Sequence, residues 1–100
     1  MDVTLVYFES CPHWEEADRR LGDLATELGF TIGYRQVSTP EEAEALSFRG
    51  SPTILVDGHD PFVRGGEPVG LACRVYQTPH GPAGVPTVEQ LRTALTGGQP

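Results

Sequence analysis

Cationic side chains are scarce in this chain: seven Lys+Arg against fourteen Asp+Glu leave a formal net charge of -7. No basic run occurs, so a polyanion would have to be bound against the protein's own field, and nucleic acid is not an expected partner. The same imbalance argues against an anionic membrane surface. Long apolar runs are missing too. The opening stretch "MDVTLVYFES" has no basic leader and carries Thr and Tyr within a short apolar segment, so it does not read as a secretory signal. No segment nears the length of a membrane span. With only two cysteines and no signal, the expected compartment is the reducing cytoplasm, where a thiol serves catalysis or packing more often than pairing. There is no Gly-rich phosphate loop, no Cys/His set at zinc spacing and no Ser-His-Asp order. No cofactor is expected.

What is present describes a small folded domain. At 38% hydrophobic and 21% charged, the 100 residues make a globular chain with room for one core, expected as a monomer or small homo-oligomer with ordered residues about 3–95. "VTLVYF" (3–8) is apolar at nearly every position and predicts a strand covered on both faces. A helix follows over 12–28, with Pro12 at its first position, a buried stripe of Trp14, Ala17, Leu21, Leu24, Ala25 and Leu28, and Gly29 as its left-handed stop. "FTIGYRQV" (30–37) predicts a second strand. "TPEEAEAL" predicts a short helix with Thr39 as cap and Glu42 three residues later. "SPTILVDG" predicts a third strand closed by the turn residues Asp57 and Gly58, "LACRVY" (71–76) a fourth, and "PTVEQLRTAL" a last helix with a Thr87/Gln90 capping box.

The order βαβαββα predicts an α/β domain with a four-stranded mixed sheet and helices on both faces. The first three strands, joined by helices, are expected to be parallel, and the last two antiparallel. Residues 57–70 and 77–86 are long, rich in Gly and Pro, and read as shaped loops.

The stretch "FESCPHWE" (8–15) carries the chemistry. A βαβαββα chain with Cys11-Pro12 opening its first helix and Ser51-Pro52 before its third strand resembles the thioredoxin superfamily over residues 3 to about 95. The resemblance implies that Ser51–Pro52 is a cis bond beside Cys11. Cys11-Pro12-His13 is similar to the C-P-H-C centre of the strongly oxidising members, but Trp14 stands where the second cysteine belongs. The strings "YFESCPHW", "FRGSPTILVDGHDPF" and "GLACRVY" also resemble small bacterial thioredoxin-family proteins, some labelled alkylmercury lyase.

A thiol at a helix N-terminus faces free N–H groups and the positive end of the helix dipole, and both favour the thiolate. His13 would stabilise it further, and Glu9, Glu15 and Glu16 oppose it. A reactive Cys11 without a neighbouring partner has three fates: a mixed disulfide with a small or protein thiol, a sulfenic acid, or ligation of a soft metal such as Hg, Cu(I) or Zn. The bland alternative is an inert buried cysteine. Cys73 is expected to share a core-facing side with Leu71 and Val75, ~10 Å from the active edge and beyond the reach of a disulfide. Should it lie close after all, Cys11 and Cys73 form a dithiol and a two-sulfur metal clamp.

Around Cys11, Pro52 is expected to shape a groove for an extended thiol-bearing substrate, flanked by Pro12, Ser51 and Trp14, though Trp14 by spacing is first a packing residue. Arg49 can meet an anionic substrate carboxylate or pair with surface Glu. His80, in the 77–86 loop, is a candidate base or ligand, and otherwise a solvated loop histidine. His59 lies in the opposite loop and is not expected to take part. The functional expectation is thiol–disulfide exchange or thiol sensing through Cys11. The alternatives are a non-catalytic module binding a soft metal or a peptide, and a structural relic whose loops mediate association.

Overall fold

A computed structural model of the chain describes residues 1–63 and 67–96. The elements are β1 (Val3–Tyr7), α1 (His13–Leu28), β2 (Ile32–Gln36), α2 (Pro40–Ala45), β3 (Thr53–Val56), β4 (Tyr76–Thr78), β5 (Gly81–Ala83) and α3 (Val88–Leu95). They form a small α/β fold with a three-stranded mixed sheet, in the order β2-β1-β3, and a separate β4–β5 hairpin.

Two features differ from the expected four-stranded sheet. β1 and β2 are parallel, but β3 runs antiparallel to β1, with Val3 opposite Val56 and Val6 opposite Thr53. The 37–52 connection, which contains α2, leaves and re-enters the sheet at one end, beside Val6 and Tyr7, so β3 starts where β2 finishes and runs back along β1. The second difference is the fourth strand. Residues 71–76 add no strand to the sheet; they touch it through one parallel bridge, Ser51 with Cys73, and the chain then turns into the β4–β5 hairpin inside a stretch expected to be loop.

Local signals set most of the other boundaries. α1 begins at His13 with Pro12 as its N-cap, and ends at Gly29, whose φ of 80° lets its N–H reach the Ala25 carbonyl. Ala17, Leu21 and Leu24 of the expected stripe are buried, and Trp14, Ala25 and Leu28 are half-buried. Thr39 caps α2 through the Glu42 N–H, while the Glu42 carboxylate accepts from Ser38 N–H, one residue before the expected partner. Thr87 and Gln90 form the full reciprocal box on α3. Asp57 and Gly58, with φ of 52° and 82°, make the tight turn that returns His59 to Val56.

The sheet separates two apolar clusters. On one face Val3, Leu5 and Ile54 pack against Ala17, Leu21 and Leu24 of α1 and Leu91 and Leu95 of α3. On the other Val6, Val37, Ala43 and Phe48 gather under α2. A fully buried leucine in such a cluster is worth about 1.5–3 kcal/mol, so the α1/α3 side carries most of the stability. No helix among the described residues is long and apolar enough to cross a membrane.

Candidate functional site

Cys11 lies between the end of β1 and the start of α1, and its N–H closes a turn onto the Phe8 carbonyl at 3.0 Å. The next residue along this edge of the fold is Ser51, fully buried, whose hydroxyl accepts from Phe8 N–H at 3.0 Å. Ser51 thereby clasps the β1 end to the loop that leads into β3, and the Ser51–Pro52 bond is cis. The Cys11 sulfur sits 3.4 Å from the Ser51 carbonyl oxygen.

The same Ser51 holds a further segment of the chain, residues 72–74. Its N–H donates to the Ala72 carbonyl at 2.8 Å and its carbonyl accepts from Arg74 N–H at 3.0 Å. Cys73 lies between these two bonds, with its Cα 5.8 Å from that of Cys11, and the two form a disulfide across 62 positions of sequence. The expectation of Cys73 as a core thiol some 10 Å away therefore fails. The failure has two causes. The segment crosses beside Ser51 in parallel instead of returning along an antiparallel ladder, and its facing is shifted by one residue. Arg74 and Tyr76 point inward, whereas Cys73 is exposed and Val75 is 63% exposed.

An inward arginine was not legible from the apolar pattern, yet it is what fixes this segment. Arg74, 4% exposed, pairs with Asp60, approaches the Thr53 hydroxyl and lies over the Tyr76 ring, its guanidinium carbon 4.7 Å from the ring centroid. Burial works to lower its pKa, but the Asp60 hydrogen bond and the surrounding charges outweigh that and leave it raised, so the group stays charged. Burial likewise pushes the Tyr76 hydroxyl up, against the Arg74 charge, and this hydroxyl donates to the Pro52 carbonyl. Gly50 completes the clamp. At φ 108° a Cβ there would stand 3.0 Å from the Arg74 Cβ and 3.1 Å from its Cα and N, so only glycine lets the two segments meet. The one sequence signal for this was the placement of Gly50 before Ser51-Pro52.

The exposures of the two sulfur-bearing residues are opposite. Cys11 is 1% exposed instead of bare at the helix mouth, and the accessible partner is Cys73. Pro12 is exposed. His13 is exposed as well, but its ring packs on Gly84, where a Cβ would fall within 3.0 Å of three imidazole atoms. No hydrogen bond joins His13 to Cys11 among the described residues. His13 and His80 line one shallow depression of about 310 Å³ together with Glu16 and Arg20. Of the three carboxylates expected to oppose a thiolate, Glu16 is held below its ordinary range by the Arg20 hydrogen bond and by Arg19, and Glu9 accepts from Gln36 at 3.0 Å.

Trp14 takes the packing role: its indole stacks on Tyr7 with centroids 4.4 Å apart, and its N–H reaches the Glu9 carbonyl at 3.4 Å. Arg49 is placed elsewhere, in a groove on the α2 side of the sheet, and His59 lines that groove too. Among the described residues no cluster of three or more His, Cys, Asp or Glu could hold a metal ion. No protein-family model, no curated protein and no solved structure matches the chain.

Proposed function

We propose that the protein is a thioredoxin-like thiol–disulfide exchange protein whose working pair is Cys11 and Cys73, not a single thiol at Cys11. One observation carries the reading: two cysteines 62 positions apart are bonded at the start of the first helix, beside Ser51-Pro52, with one residue of the pair exposed and the other enclosed.

On this reading the exposed and the enclosed sulfur take different roles. An external thiolate attacks the Cys73 sulfur, the S–S bond breaks, and its electron pair leaves on the Cys11 sulfur. That anion forms at the N-terminal end of α1, where unpartnered N–H groups favour it, and after protonation the thiol can donate to the Ser51 carbonyl. The product is a mixed disulfide at Cys73. A second external thiolate attacks the external sulfur of that mixed disulfide and releases the Cys73 thiolate. Two external thiols have then become one disulfide, and the protein's disulfide has become a dithiol. The reverse sequence reduces an external disulfide, and the couples present set the direction. A pair that cycles in this way belongs equally in a reducing cytoplasm, whereas one closed for good belongs in an oxidising compartment.

Single-thiol variants test the assignment. Cys11→Ser leaves the exposed thiol and is expected to take up one glutathione from glutathione disulfide, read as intact mass. Cys73→Ser, with only the enclosed sulfur, is expected to react far more slowly under native conditions and at a similar rate in urea. Equal native rates would remove the assignment. The same proximity favours a second reading, a two-sulfur clamp for Hg(II) in the reduced protein, with stoichiometric binding that requires both cysteines.

A further inference from the structure

The two faces of the sheet are unequally covered. α1 has sixteen residues and shares its face with α3, but α2 has six and shelters only part of the other. Beside α2 the sheet lies open in a groove of about 600 Å³, floored by Thr4, Val6 and Leu55 and bounded by Phe48 and the 58–60 turn. This volume is that of a small-molecule site.

The cations of this groove are unusual for this chain. All seven of its basic residues are arginines, and acids outnumber them two to one. Arg19 and Arg20 pair with Glu16, Arg74 with Asp60, and Arg92 with Glu27. Among the described residues Arg35 and Arg49 alone of the arginines have no carboxylate partner, and both line this groove together with His59. Register places Arg35 directly opposite Val6, on the same face of the sheet. Among the described residues the only carboxylate lining the groove, Asp60, is engaged by Arg74 and by the Phe62 N–H. An apolar floor beneath two uncommitted guanidiniums is complementary to a flat or aliphatic body carrying an anionic head, since guanidinium forks hold carboxylate-type groups through paired hydrogen bonds.

We propose that this groove binds a small amphipathic organic anion, with its apolar body on Val6, Leu55 and Phe48 and its charge between Arg35 and Arg49. The site is separate from the Cys11–Cys73 pair and does not depend on its chemistry.

The probe is 1-anilinonaphthalene-8-sulfonate, compared with N-phenyl-1-naphthylamine, which has the same aromatic body without the charge. The folded wild-type protein is expected to bind the sulfonate with one-to-one stoichiometry, about tenfold or more tightly than the neutral amine, because hydrogen bonds to a charged group are involved. Arg35→Gln with Arg49→Gln is expected to bring sulfonate binding down to the level of the amine while amine binding and the far-UV spectrum stay unchanged. Amide shifts on titration are expected at Val6, Leu55 and Phe48. Equal binding of the two probes by wild type, undiminished sulfonate binding by the double variant, or shifts that map elsewhere would each overturn the proposal.

Discussion

Reducing the Cys11–Cys73 bond should destabilise the fold by an amount set mainly by the chain it closes. The cross-link spans 62 positions. Loop-closure entropy for a loop of that length corresponds to about 4 kcal/mol at 25 °C. The native side of the balance changes little, because the Ser51 bridge to 72–74 and the Arg74–Asp60 pair hold Cys73 in place without the covalent bond. For a chain of this size, with an unfolding entropy of about 2.1 cal/mol/K per residue, the loss lowers the melting temperature by about 20 °C. Urea unfolding followed by the fluorescence of Trp14, in matched buffers with and without dithiothreitol, measures it directly; Cys73→Ser should reproduce the reduced curve under both conditions. A difference below about 1 kcal/mol would mean that the bond is not formed across this loop.

Three further outcomes follow from the clamp and the surface. Gly50→Ala places a methyl group against the Arg74 backbone at a φ of 108°, so it is expected to cost about 2 kcal/mol or more and to raise the fraction of free thiol under mild oxidation, read by alkylation and intact mass. Asp60→Ala leaves Arg74 buried without its partner and is expected to destabilise by about 3–5 kcal/mol in denaturant titration, whereas Asp60→Leu with Arg74→Met recovers most of that loss. Tyr34 donates to Asp18, and that bond, with a smaller contribution from burial, raises its pKa to about 12. The neutral hydroxyl is the stabilising form, so its contribution is complete below the unfolded value near 10 and disappears as pH rises through 12. The stability advantage of wild type over Tyr34→Phe should be constant up to that lower value and vanish across this window.

Much of the frame was legible because it rests on short-range signals. Pro12 and Gly29 bound the first helix, Thr39 and Thr87 cap the other two, and Asp57-Gly58 turns the chain, each through bonds that span a few residues. The direction of β3 was not legible, since a helix between two strands reads as a crossover, whereas the 37–52 connection starts and ends at one end of the sheet. The 71–76 segment misled for a different reason. Leu71, Cys73 and Val75 look like the core face because they are apolar, but the core here accepts Arg74, whose charge is matched by Asp60 and the Tyr76 ring. A paired charge can be buried in place of an apolar side chain, and with that one-residue shift of facing Cys73 came out to the surface and up to Cys11. Trp14, which its spacing put in the packing stripe, stacks on Tyr7, while Arg49, expected beside the thiol, lines the α2-side groove.

The most direct measurement is a redox titration of the intact wild-type protein. The chain is equilibrated from both the reduced and the oxidised side in a series of glutathione buffers, quenched in acid, alkylated and weighed. One reversible transition between no free thiols and two is expected, the same from either direction. A protein that keeps its bond closed throughout the series while remaining folded, or one that shows two free thiols even at the oxidising end, contradicts that expectation.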